Sequence, residues 1–280
     1  MNDTSSVERR ASRTRWLFRF AVLVLFATLL LYVWRCCSRY AMDIKQKAAF
    51  ASFMAAMELF GSEFEGYPPS DALDDANQPY CGAMKLTEAM VGQDLLGFRP
   101  ASTFRLDGTN PNTGEFLYAT APASVRARKG PFLNVTYTPA HRMGDVYGRG
   151  NAGPFAEHVY VFCDVFERRR PGGAMTGMPI LYYSADPEGT AHDVNNPDNP
   201  ENIYDYRDNH ALVSLGVPGD PEAVHPLADP KRFYLNMLNP RAKEHPEPYR
   251  RGGYILISAG RDGLYGTKDD IYNFDWQYRE

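Results

Sequence analysis

The chain lacks the short signatures that usually betray an enzyme. There is no G-x-S-x-G elbow, no phosphate-binding loop, no strand–loop–helix dinucleotide fingerprint and no H-E-x-x-H zinc spacing. These absences remove the common sequence grounds for a serine hydrolase, an NTPase, a dehydrogenase or a metalloprotease. Basic surplus is also missing: 30 Lys and Arg face 34 Asp and Glu, a net charge of −4, so no footprint for nucleic acid is visible. Cysteine is scarce, with only Cys36, Cys37, Cys81 and Cys163, too few for a disulfide-stapled scaffold. No internal repeat is present. No glycine precedes Gly61, and no acidic residue lies between Glu8 and Asp43.

The chain has 280 residues, of which 44% are apolar and 23% charged, ordinary values for a globular protein. The apolar residues are unevenly placed. From Trp16 to Trp34 the sole charge is Arg19, near the start, and Thr28 is the sole clearly polar side chain after Phe20. About 19 residues at 1.5 Å each span roughly 28 Å, close to the thickness of a bilayer core. Trp16, Tyr32 and Trp34 sit near its ends, as interfacial aromatics do. No A-x-A-like site follows the run, so it reads as an anchor and not as a cleaved signal. Arg9, Arg10, Arg13, Arg15 and Arg19 precede its core and outnumber Arg35, Arg39, Lys45 and Lys47 behind it. That bias predicts a cytoplasmic N-terminus, with the bulk of the chain in the periplasm. Cys36 and Cys37 fall at the membrane exit, where packing against lipid or a neighbouring helix is the plainer reading and S-acylation the other. Cys81 and Cys163 fall in the exported part, and an oxidising compartment would permit a bridge that the sequence cannot place.

The predicted organisation is an unstructured polar arm over 1–15, a transmembrane helix over 16–34, a helical extension over 35–65 and a globular domain over 66–280. No proline interrupts 35–64, and Ala, Met, Glu, Lys and Gln, all good helix formers, dominate after Ala41. Phe50, Phe53, Met54, Met57, Phe60 and Phe64 form a stripe at helical spacing. The simplest reading is one continuous helix whose stripe packs on a sheet. Gly66-Tyr67-Pro68-Pro69 ends it. A short helix is predicted over 82–91 and another near 231–238. Strands are predicted within 158–166, 179–184 and 254–258, from their β-branched and aromatic content. Helix first and scattered strands later predict an α+β fold, a long N-terminal helix on a small antiparallel sheet with long loop insertions.

Two polar segments could carry chemistry. The first is the C-terminal loop, where Asp262, Asp269 and Asp270 supply carboxylates, Ser258 and Thr267 hydroxyls, and Gly260, Gly263 and Gly266 a backbone free to bend. Oxygen ligands at a flexible turn suit Ca²⁺, although the spacing is not that of an EF-hand; a solvated Asp/Gly turn is the plainer reading. The second gathers His192, Asp193, Asp198, Asp205, Asp208 and His210, which reads first as a surface loop and second as a catalytic metal site. Arg168-Arg169-Arg170 before Pro171-Gly172-Gly173 reads as a solvated hairpin tip.

Three features coincide: a membrane helix running into an amphipathic one, Glu65-Gly66-Tyr67-Pro68-Pro69 behind it, and Ser258-Ala259-Gly260-Arg261-Asp262-Gly263 through Lys268-Asp269-Asp270-Ile271, with Trp276 beyond. Together they resemble the pseudopilins of bacterial type II secretion, particularly the major pseudopilin, over roughly residues 16–70 and 250–276. The resemblance implies a non-enzymatic component of a type II secretion or related export apparatus, held in the inner membrane. Its expected partners are other pilin-like subunits or copies of itself, with no nucleic acid. It also implies a structural Ca²⁺ held by Asp262, Asp269, Asp270 and Ser258. The family is processed after a glycine just before the hydrophobic run and carries a glutamate a few residues inside it. This chain has neither, so the mature protein is expected to keep its cytoplasmic arm. The alternative is a membrane-tethered extracytoplasmic binding protein for carbohydrate or protein; an anchored hydrolase is third.

Overall fold

In the computed structural model, helix α1 covers Thr4–Phe64. The structure describes residues 4–136, 138–220, 222–242, 245–276 and 278, and, before residue 22, only the side chains of Trp16, Arg19 and Phe20. α1 starts well before residue 16, inside the stretch expected to be an unstructured arm; nothing in that stretch is a glycine or a proline that would stop it. Packing divides the chain into two compact units, Met1–Ile44 and Lys45–Glu280. The second half of α1 falls in the same unit as the residues after it, because it carries core side chains.

In the first unit the side chains from 22 to 41 are exposed, and the segment is long and apolar enough to cross a membrane. The Thr28 hydroxyl, within the apolar run, donates back to the Leu25 carbonyl at 2.8 Å, which satisfies that donor inside the helix. Cys36 and Cys37 are exposed there as free thiols.

In the second unit the helices are α2 (Gly82–Val91), α3 (Pro122–Arg126), α4 (Met143–Tyr147), α5 (Arg207–Val213) and α6 (Pro230–Met237). The strands are β1 (Ala140–Arg142), β2 (Tyr160–Phe162), β3 (Arg168–Arg169), β4 (Met175–Thr176), β5 (Leu181–Ser184), β6 (Tyr254–Ser258) and β7 (Ile271–Tyr272). β1 pairs with β2, and β5, β6 and β7 pair in that order, all antiparallel. The two groups are stitched together: Ile180 N donates to Phe162 O and Asp164 N to Met178 O, both at 2.8 Å, around the Cys163–Pro179 bridge. The result is a narrow antiparallel band in the order β1-β2-β5-β6-β7. Long loops surround it, and the fold is α+β as the sequence predicts. β3 and β4 form the far end of the β2–β5 hairpin, so the Arg-rich segment is a hairpin end, but Arg170 is buried and its Nε donates to Thr176 O and Oγ1.

The stripe of α1 is buried at Phe50, Phe53, Met57 and Phe60. Phe53 meets Phe162 of β2 edge-on at 4.9 Å, and Gln46 Oε1 accepts from the Val165 amide at 3.0 Å. Only this part lies on the band. Phe60 and Phe64 pack instead on Phe98 and Phe132, which belong to the loop insertions. The expectation that the whole stripe rests on strands is corrected accordingly: the short strands run out before the helix does.

α2 matches its predicted limits and is buried at every residue, including Lys85 and Glu88. It enters the core where Gly82 approaches β5; a Cβ there would stand 2.2 Å from Tyr182 O, so no larger residue fits. Glu88 is satisfied by the hydroxyls of Ser102, Tyr80 and Tyr118 and by Gln93 Nε2. Thr87 Oγ1 accepts from Phe162 N at 3.0 Å, tying the helix to β2. Cys81 and Cys163 are buried and unbridged; burial pushes the Cys81 thiol up to about 12.

Candidate functional site

The C-terminal loop connects β6 to β7 and is held tightly by its own aspartates. Asp269 Oδ2 accepts the amides of Arg261 (2.7 Å) and Asp262 (3.0 Å), and Oδ1 accepts the Thr267 hydroxyl (2.7 Å). Burial works to raise the Asp269 carboxyl, but Thr267 and these amides outweigh it and hold it below its usual value. Asp262 lies beside it and is raised, first by burial and then by the facing Asp269 carboxylate. Its own Oδ1 accepts Leu264 N at 2.8 Å. Gly260 has φ +65°, and a Cβ on it would stand 2.2 Å from Asp269 O. The turn therefore demands glycine at this position.

The other two residues of the expected ion set point elsewhere. Asp270 is buried, its Oδ2 accepting Gly266 N (2.7 Å) and the Tyr272 hydroxyl (3.1 Å), while Oδ1 has no partner; burial keeps its carboxyl well above the usual range. Ser258 donates to Asp164 Oδ2 at 2.9 Å. Asp164 also accepts the amides of Phe166 and Met178, and burial raises it to about 7. Of the four, Asp262 and Asp269 are brought together. Among the described residues no three His, Cys, Asp or Glu side chains stand close enough to share a metal ion.

A second acidic site is more open. A pocket of about 430 Å³ lies between the turn after α1, the end of β5, the loop 197–203 and the start of α5. Ser70 and Asp208 form its floor: Ser184 N donates to Ser70 Oγ at 2.9 Å, and the Ser70 hydroxyl donates to Asp208 Oδ2. Lys85 of α2 lies behind, its Nζ donating to Leu73 O at 2.9 Å and standing 3.6 Å from Asp71. Burial raises the Asp208 carboxyl to about 8, and the charges of Asp205 and Asp71 add to the effect. At the rim, Arg207 pairs with Asp205 at 3.0 Å and reaches Asp198 at 3.9 Å. Asp186 is exposed and accepts the Glu188 amide at 2.9 Å.

Of His192, Asp193, Asp198, Asp205, Asp208 and His210, Asp205 and Asp208 line this pocket. His192 is buried against the Tyr234 carbonyl (2.8 Å), and His210 leans on Tyr206. The sequence reading missed Ser70 and Asp71; Ser70 lies 138 positions from Asp208, and the only local signal was the helix-ending Pro68-Pro69 just before them. Comparison of the chain with protein-family models, curated proteins and solved structures gives no match.

Proposed function

We propose that this chain is a non-enzymatic, membrane-anchored, pseudopilin-like component of a type II secretion or related export apparatus. One observation supports it above the rest: a single helix supplies both a membrane-length apolar segment and the Phe50–Phe60 stripe buried in the globular unit. The Asp/Gly loop between the last two strands is consistent with it. In this reading the N-terminus is cytoplasmic, the globular unit is periplasmic, and the partners are pilin-like subunits or further copies of the chain. Affinity purification of the full chain from its native membranes tests this. Recovery of pilin-like subunits and an inner-membrane secretion platform is the expected result; recovery of the chain alone, or with unrelated soluble proteins, overturns it.

A structural Ca²⁺ belongs to the same proposal. Asp262 and Asp269 would supply its carboxylates, with loop carbonyls completing an oxygen set. The ion would offset the burial and the facing Asp269 carboxylate that together raise Asp262. An ion bound only to the folded form adds about 2.7 kcal/mol at 100 times its Kd. The full chain in detergent is expected to melt higher in millimolar Ca²⁺ than in chelator, and Asp262→Ala to remove the difference. Identical melting curves would show that the loop closes without an ion.

The pocket beside α5 favours a second reading, a tethered extracytoplasmic binding protein. Capture of a small ligand together with an absence of secretion partners would select it.

A further inference from the structure

We propose that one end of the globular unit is a docking surface for anionic phospholipid headgroups, carried by Lys45, Lys47, Arg168, Arg169 and Lys268. The inference rests on the membrane anchor of the reading above and goes beyond its export role. It starts from the direction of the strands. Phe162 of β2 meets Phe53 of α1, and three residues later Val165 N donates to Gln46 Oε1 at 3.0 Å. β2 therefore runs against α1, toward the point where the chain enters the unit at Lys45. The Cys163–Pro179 bridge is antiparallel and β5 pairs antiparallel with β6, so β6 runs the same way as β2. β2 delivers the β3–β4 hairpin to this end, and β6 delivers the Asp/Gly loop. The two meet there: the Arg168 guanidinium donates to the Arg261 carbonyl.

The charge gathered at this end departs from that of the chain. Lys45 and Lys47 on α1, Arg168 and Arg169 on β3, and Lys268 in the loop are all exposed. None of them makes an ion pair among the described residues, and the carbonyl that Arg168 reaches is neutral. Beside them the exposed acids are Glu167 and Asp262. A basic surplus is thus concentrated here in a chain whose net charge is −4. Met175 is the register partner of Arg169 and is 53% exposed, so one face of the hairpin carries an apolar side chain next to a guanidinium. Basic and apolar side chains together suit the boundary between headgroups and acyl chains. The unit is tethered at this end by a segment of membrane length, so the headgroup layer is the first surface it meets. Zwitterionic headgroups balance each phosphate with a cation of their own. An anionic headgroup leaves its phosphate uncompensated, and lysine and arginine donate to it.

The test places the full chain in nanodiscs of phosphatidylcholine alone, or of phosphatidylcholine and phosphatidylglycerol in equal parts, and follows amide hydrogen exchange by mass spectrometry. Peptides covering 167–176 and 259–269 are expected to exchange about tenfold more slowly in the anionic discs, a difference that high salt removes. Peptides covering 82–91 are expected to exchange alike in both. Lys45→Gln, Lys47→Gln, Arg169→Gln and Lys268→Gln combined, all at exposed positions, are expected to erase the difference and leave the melting temperature unchanged. A chain that enters neither kind of disc overturns the membrane anchor and the proposal with it. A chain that enters both and exchanges alike in them overturns the lipid surface alone, and is the result that a basic end reserved for an acidic protein would give. A difference that survives in the Gln variant also overturns the lipid surface and leaves the anchor standing.

Discussion

The loop after β6 and the pocket beside α5 each gather aspartates, and they satisfy them in different ways. In the loop, Asp269 is closed on itself by two backbone amides and a hydroxyl. Its carboxylate is part of the framework, and removing it would open the turn. In the pocket, Asp208 receives the Ser70 hydroxyl and is otherwise part of the buried lining. Its burial raises the carboxyl, whereas the hydrogen bonds of Asp269 lower that group. An acid closed by several donors and an acid buried with one are thus distinguished by the direction of the shift and by its cause.

The strongest challenge to this contrast is Gly260→Val. A side chain at φ +65° that also meets Asp269 O would force the turn apart, and a loss of about 3–4 kcal/mol in denaturant unfolding is expected. A loss under 1 kcal/mol would mean that the loop is too compliant to count as framework. Next comes Asp269→Ala, which strands the amides of Arg261 and Asp262 together with the Thr267 hydroxyl. It is expected to cost about 2 kcal/mol. The smallest effect has the opposite sign. Asp208→Asn is expected to stabilise the domain by about 1 kcal/mol at pH 8, since a buried carboxyl that begins to ionise there is replaced by a neutral isostere.

The pH dependence of that last variant sharpens the comparison. The folded Asp208 carboxyl lies at about 8, far above the roughly 3.9 of an unfolded aspartate. As pH rises past about 4 the unfolded chain loses the proton while the folded chain retains it. The stability contributed by the protonated group is therefore complete at low pH and is lost as pH climbs toward 8. The advantage of Asp208→Asn over the parent should grow between pH 5 and 8 in urea titrations. An advantage independent of pH would show that the carboxyl is not held protonated.

How far the sequence reveals these regions depends on the reach of each signal. α1, α2, β5 and β6 are carried by local patterns: an apolar run, helical spacing and β-branched stretches. β1 and β7 are too short to carry a pattern, and exist because neighbouring strands offer hydrogen bonds. The Asp/Gly loop was legible as a bend, since glycine and aspartate act there through the backbone. The inward turn of Asp270 was not, because it depends on Tyr272 and on burial. The pocket was least legible of all. Ser70 and Asp208 meet only when the turn after α1 folds onto α5, and no spacing rule spans that separation.

α2 has a consequence of another kind. With every residue enclosed, and its ends anchored by Asn209 at Ala83 N (2.9 Å) and by the Gly92 amide at Glu88 O (2.7 Å), it has no partly open route to solvent. Its amide hydrogens would exchange with deuterium only when the whole domain opens. Peptides covering 82–91 would then act as an internal clock for global unfolding, readable by mass spectrometry in intact membranes.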